Sequence, residues 1–294
     1  MNELFDEALI ARNRERALAQ NAAGSDFLLE LTARELAERL AIVQRRFDDA
    51  VELFGGTGLT AKAAIATGKI ERLRRIETSE DFGEDGSPVS TANFESVPLE
   101  PQSVNLILSP LSLHLTNDTP GMLIQMRRAL KPDGLLLAAI PGAGTLAELR
   151  EVLLAAETEI YGGASPRVVP FADIRDIGSL LQRAGFALPV IDEESFTVRY
   201  DHIFALMRDL KAMGMANPLI GRSKRPVSRR FFMRAAELYA ERFSDADGRI
   251  RATFTIVFVS GWAPHESQQK PLKPGSAKMR LADALDPTKR FEQP

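Results

Sequence analysis

The sequence predicts an α/β fold, a parallel sheet covered on both faces by helices. Three observations point to it. From residue 50, short apolar runs alternate with helical segments, the pattern of successive strand–helix units. The first run leads into a glycine-rich turn, "VELFGGTGLT" at residues 51–60. Far downstream, "LPVIDEESFTVRY" and "RATFTIVFVSGW" alternate apolar and polar residues as antiparallel strands do.

Taken in order, residues 2–20 read as a helix with Phe5, Ala8 and Leu9 on one face. A second helical region, "GSDFLLELTARELAERLAIV", has Ser25 or Asp26 as its cap. "AVELF" is then a strand, "LTAKAAIATG" a helix stopped by Gly68, and "IERLRRIE" a weaker strand. "SVNLILSP" is a short buried strand, "TPGMLIQMRRALKPDG" a helix with a turn, and "GLLLAAIP" another strand. "GTLAELREVLLAAETEIYG" is amphipathic, with Leu146, Leu149, Val152 or Leu153, and Ala156 on one stripe. "PRVVPFADIRDIGSLLQRAGF" is a loop and a helix ending at Gly185, and helices at about 201–213 and 228–242 separate the last two strands. Residues 264–294 are polar and Pro-containing, and predict a mobile tail.

Composition narrows the function. With no cysteine, disulfides and thiolate chemistry are excluded, which fits a cytoplasmic protein. The N-terminus lacks the basic-then-apolar order of a secretory signal, and "GLLLAAIPGAG" is far short of the roughly 20 residues that span a bilayer, so no membrane insertion is expected. A net charge of −3 gives no global attraction to nucleic acid. The local exception is "GRSKRPVSRR", a solvated basic loop or a site for an acidic protein partner or nucleic acid. The three histidines, His114, His202 and His265, have no acid two residues on, so no metal site is read from the sequence.

The glycine-rich turn carries the chemistry. In a doubly wound sheet, ligands bind outside the carboxyl ends of the strands. Gly55, Gly56 and Gly58 allow a ligand to approach the backbone there. Glu52 stands near the end of the first strand, and Glu77, nineteen residues after Gly58, ends the second. An acid at that spacing accepts hydrogen bonds from ribose hydroxyls, so the order turn, helix, strand, acid points to a nucleoside cofactor. The sequence has no GxxxxGK[ST], and so no phosphate-cradling P-loop.

These residues resemble the class I S-adenosylmethionine-dependent methyltransferase pattern. Glu52 matches its first acid, Gly56 and Gly58 its last two glycines, and Glu77 its ribose-binding acid; Phe54 replaces a usual glycine. "SVPLEPQSVNLILS", with Asn105 for the usual Asp, and "LKPDGLLLAAIP" match later blocks. A narrower resemblance covers roughly residues 4–262. "LSPLSLHLTNDTPGMLIQMRRALKPDG", "LMRDLKAMGMAN" and "ATFTIVFVSGW" are similar to a family of mitochondrial complex I assembly factors and their bacterial relatives. The biotin-pathway methyltransferases are more distant cousins through "SLxLxxxND".

The resemblance implies a Rossmann-like, seven-stranded class I methyltransferase sheet with helical cap insertions. N-terminal helices occupy 1–48, the methyltransferase-like domain 49–262 with caps at about 145–170 and 201–242, and the tail 263–294. The implied cofactor is S-adenosylmethionine, and the default reaction is methyl transfer. Glu52, Gly56, Gly58 and Glu77 hold the cofactor, with Asn93 and Glu95 on the adenine side. His114 is the catalytic candidate, as base or substrate contact, or else a structural residue. Asn117 and Asp118 face substrate or cap the next helix. Glu157, Tyr161, Ser165 and Arg167 are the polar residues of a substrate-facing loop at 157–171, or of a surface connection. Two other readings follow from the resemblance: arginine hydroxylation or chaperoning of a respiratory complex I subunit, and a non-catalytic scaffold whose pocket Phe54 closes.

Overall fold

The computed structural model describes residues 3–86 and 89–269. Five strands form the parallel part of the sheet: β1 (Phe47–Leu53), β2 (Ile70–Glu77), β3 (Val89–Thr91), β4 (Val104–Pro110) and β5 (Leu130–Pro141). The last two, β6 (Ala187–Tyr200) and β7 (Ile250–Trp262), complete the order β3-β2-β1-β4-β5-β7-β6. β7 runs antiparallel to both of its neighbours. This is the class I methyltransferase arrangement, with the order reversing between β1 and β4. Both strands end at that switch point, which is where open α/β sheets bind ligands.

Among the described residues, eight helices bury the sheet. α1 (Glu7–Gln20), α2 (Phe27–Ile42), α3 (Leu59–Ala66) and α4 (Thr119–Ala129) precede α5 (Ala147–Tyr161) and α6 (Ile174–Arg183). α7 (Ile203–Ala212) and α8 (Arg229–Phe243) lie between β6 and β7 in the chain. Successive side chains of a strand point to opposite faces. Leu106 and Leu108 of β4, with Leu135 and Leu137 of β5, join the core under α2, α5, α7 and α8. Ile107 and Leu136 join the opposite core with residues of α4 and α6. Both faces are covered, so the strands read as continuous apolar runs.

Three details differ from the sequence reading. The first helix begins at Glu7, because Asp6 caps it by accepting the Leu9 N–H at 3.0 Å; Phe5 instead pairs with Leu219 in an isolated bridge. Its buried residues are Ile10 and Asn13 rather than Ala8 and Leu9. The three-residue β3 and the 3₁₀ turn at 80–86 were not legible as elements. The predicted tail falls largely on 270–294, outside the described residues. Among the described residues no helix is long and apolar enough to cross a membrane.

A buried charge cluster beneath a two-chambered cleft

The β1 turn is held from below by charges. Phe54 follows β1 with a φ of 54°, in the left-handed region, and Gly56 and Gly58 follow at 74° and 76°. The Phe54 N–H donates to the Ile76 carbonyl at 2.8 Å, tying the turn to β2. The fully buried Glu52 accepts the Ala61 N–H at 2.9 Å and Arg75 Nε at 2.8 Å. Arg75 also donates to the Phe82 carbonyl at 2.9 Å and to the Gly56 carbonyl. Glu77, equally buried, accepts the Gly56 N–H at 2.7 Å on one oxygen and Arg14 Nη2 at 3.0 Å on the other. Arg14 comes from α1, donates also to the Phe54 carbonyl at 2.9 Å, and faces the rings of Phe82 and Phe94 at 5.2 and 5.4 Å.

A cleft opens directly above this cluster. Arg14, Phe54, Gly56, Phe82, Phe94 and His114 are among its walls. Phe54 does not seal it. The ring lies against Phe94, centroids 4.8 Å apart, as part of the wall. The reading in which Phe54 closes the pocket is the less favoured one here, because this ring is part of the cleft wall. A second, apolar chamber adjoins it and shares His114, Leu115, Gly214 and Met215. Leu146, Leu149, Val168, Val169 and Phe171 line its far side.

The titrations follow burial. Glu77 is pushed up to about 7, chiefly by burial, with Arg14 opposing and Glu52 adding. Burial raises Glu52 too, against the pull of Arg75. His114 is pushed down to about 3 by burial and by the Arg14 charge, so its ring is neutral near pH 7. Its Nδ1 is buried without a hydrogen-bond partner.

Glu77 gives a signed prediction. The folded chain takes up its proton below about 7, whereas an unfolded glutamate does so near 4.5. The contribution is therefore fully present below pH 4.5 and is lost as pH rises through about 7. Moving the titration that far corresponds to about 3 kcal/mol. In urea titrations, the stability of Glu77→Gln relative to the native protein should accordingly rise by up to about 3 kcal/mol from pH 4.5 to pH 8. A flat difference across that range would contradict the assignment.

The structure brings some predicted residues together and sends others elsewhere. Gly56 and His114 reach the cleft. Glu52 lies beneath it, its carboxylate spent on α3 and Arg75, and Gly58 begins α3 against Arg75. Asn93 accepts the Glu95 N–H at 2.7 Å and donates to Glu7 at 3.3 Å. Glu95 accepts the backbone N–H groups of Asn117 and Asp118. Asn117 clamps the N-terminal segment through Leu4 N at 2.8 Å and Phe5 N at 2.9 Å, while Asp118 caps α4 through Gly121 N at 2.9 Å. Glu157 holds Arg167 with two bonds of 2.9 and 2.8 Å and Ser165 Oγ at 2.7 Å; Tyr161 bonds Ser228 at 2.9 Å. Those four pin the 157–171 loop, and of them Arg167 lines the second chamber.

Residues on the cleft wall that sequence reasoning did not assign to the site are Arg14, Asp26, Phe82 and Phe94. Phe82 and Phe94 flank the short β3, and no local pattern marks them. Arg14 had one visible signal, a position on α1 among the charges of "RNRER".

Comparison with known proteins gives the family and the fold. Residues 54–138 match the methyltransferase domain family. The chain is 35% identical over 287 residues to the arginine-hydroxylase NDUFAF5, mitochondrial, of Danio rerio, covering 95% of this chain and 89% of that protein. Its match to the protein of the same name from Dictyostelium discoideum is 46% over 186 residues, spanning 63% of this chain and 42% of that protein. A malonyl-[acyl-carrier protein] O-methyltransferase of Methylovorus sp. (strain MP688) is 31% identical over 97% of this chain and 94% of its own length. Among solved structures, the YcgJ protein of Bacillus subtilis superposes with a TM-score of 0.54 at 13% identity, over 78% of this chain and 98% of that one, a likeness of fold.

Proposed function

This chain belongs to the family of methyltransferase-fold proteins that includes NDUFAF5, and we propose that it binds S-adenosylmethionine in the cleft above the β1 turn and transfers its methyl group to an acceptor in the second chamber. One observation carries the reading: a glycine turn over a buried acid opens into a cleft that shares His114 with an apolar chamber.

The residues fit this cofactor except at one point. Gly56 presents open space, the nearest atom to an added Cβ being an Arg14 nitrogen at 3.9 Å. Phe82 and Phe94 give the cleft an aromatic wall suited to a base, and Asp26 lies on the same wall. The exception is Glu77, the acid for a ribose, which Arg14 already engages.

S-adenosylmethionine, when bound, supplies an electrophilic methyl group. The chain supplies alignment, because an in-line displacement depends on holding the acceptor at near-attack distance. His114 serves alignment in this scheme. A ring titrating near 3 is a weak proton acceptor at neutral pH, so His114 acts by shaping the junction of the two chambers instead of removing a proton. Glu52, Gly58 and Arg75 act from below by fixing the turn, and Asn93, Glu95, Asn117 and Asp118 by fixing its surroundings. Glu157, Tyr161, Ser165 and Arg167 hold the loop that walls the acceptor chamber.

A second reading is favoured by the identity with proteins named arginine-hydroxylase across 95% of the chain. In it, the same cleft modifies or chaperones an arginine-bearing client, a subunit of respiratory complex I, in the cytoplasm. The two are separated by calorimetric titration with S-adenosylmethionine and S-adenosylhomocysteine, and by mass spectrometry of a co-incubated client. Saturable binding with a client peptide heavier by CH₂ supports methyl transfer. A gain of one oxygen, in an incubation supplied with dioxygen and a two-electron reductant, supports hydroxylation. No binding of either nucleoside rejects the cofactor assignment.

A further inference from the structure

Arg14 sits where the cofactor reading requires a vacancy. Glu77 has no solvent-exposed surface, and Arg14 Nη2 covers it at 3.0 Å while bonding the Phe54 carbonyl at 2.9 Å. The guanidinium faces Phe82 and Phe94, the rings that form the same wall of the cleft. A ribose diol reaching Glu77 must take the place of this cation, since both cannot occupy the space above one buried carboxylate.

The helix that carries Arg14 is lightly held. Of the fourteen residues of α1, Ile10 and Asn13 are buried. Besides the bond of Asn93 to Glu7 at 3.3 Å, the ties of α1 and its cap run to residues 216–222: Asn13 donates to the Ala216 carbonyl at 3.0 Å, Asp6 N–H to the Pro218 carbonyl at 2.9 Å, and Arg222 pairs with Asp6 at 3.2 Å. Arg14 also lies directly against Gly214, where an alanine Cβ would stand 3.3 Å from the Arg14 Cα. Met213, Gly214 and Met215 of that segment line the cleft, and Gly214 and Met215 line the second chamber as well. α1 and residues 213–218 therefore form one wall, fastened to the floor of the cleft through Arg14.

We propose that Arg14 is an internal latch: its guanidinium holds Glu77 until a cofactor's ribose displaces it, and release of α1 loosens the wall that the cleft shares with the acceptor chamber. The latch rests on the cofactor reading and adds its regulation. Binding then works against a charge-assisted ion pair, and removing that pair strengthens it.

The test compares S-adenosylhomocysteine binding to the full-length native protein and to Arg14→Met, which keeps an apolar stem between the rings. About tenfold tighter binding by Arg14→Met is expected. Hydrogen exchange on the native protein gives a second reading that needs no substitution. Amides of residues 8–17 should exchange faster when S-adenosylhomocysteine is bound. Equal or weaker binding by Arg14→Met, or slower or unchanged exchange in α1, overturns the latch and leaves the cofactor assignment standing. Absence of binding by both proteins overturns the latch and the cofactor assignment together.

Discussion

Replacing Arg75 with leucine should destabilise the protein by about 3–5 kcal/mol, the cost of leaving a buried ion pair without one partner. Arg75 is 5% exposed and bonds Glu52, the Phe82 carbonyl and the Gly56 carbonyl, with a Glu77 oxygen at 3.5 Å. Its loss strands Glu52, which keeps only the Ala61 N–H, and frees the 3₁₀ turn that carries Phe82. The measurement is the urea midpoint and slope at pH 7. A second variant shows that the cost is electrostatic: Arg75→Leu with Glu52→Leu removes both charges and should recover part of the loss, as replacement of whole buried pairs by apolar residues does. A loss under about 1 kcal/mol in the single variant would mean that the cluster is solvated and does not organise the turn.

This cluster also marks how far the sequence could be read. The alternation of apolar runs and helices predicted the sheet because each strand's burial is encoded in its own residues. The spacing from Gly58 to Glu77 located the acid under the turn, since one helix and one strand separate them and both have fixed rise per residue. Arg14 lies 63 positions from Glu77 and crosses to it only through tertiary packing. The partners of Asn93 and Glu95 are likewise set by tertiary packing, which brings them to Glu7 and to the turn at 117–118. Phe54 was legible as an exception but not as a solution. A residue with a φ of 54° carries backbone strain, and its packing on Phe94 offsets that strain, a pairing no local pattern contains.

The adjacent glycines of the turn should respond in opposite ways, and this separates support from ligand contact. An alanine Cβ at Gly55 would lie 2.3 Å from Glu52 Cδ and 2.8 Å from its Cγ, closer than atoms can approach. Glu52 is enclosed on all sides, so relief requires breaking its bonds to Ala61 and Arg75. Gly55→Ala should therefore cost about 3 kcal/mol or more, comparable to losing Arg75 itself. At Gly56 an added Cβ meets nothing closer than 3.9 Å, and the Glu77 bond, made by the backbone N–H, survives. The cost there is the left-handed backbone, about 1–2 kcal/mol. Its methyl would project toward the cleft, however, and binding of S-adenosylhomocysteine should fall at least tenfold. Melting and calorimetric titration of both variants decide the matter. If Gly56→Ala binds as the native protein does, the ligand does not lie against this turn, and the cofactor assignment loses its geometric basis.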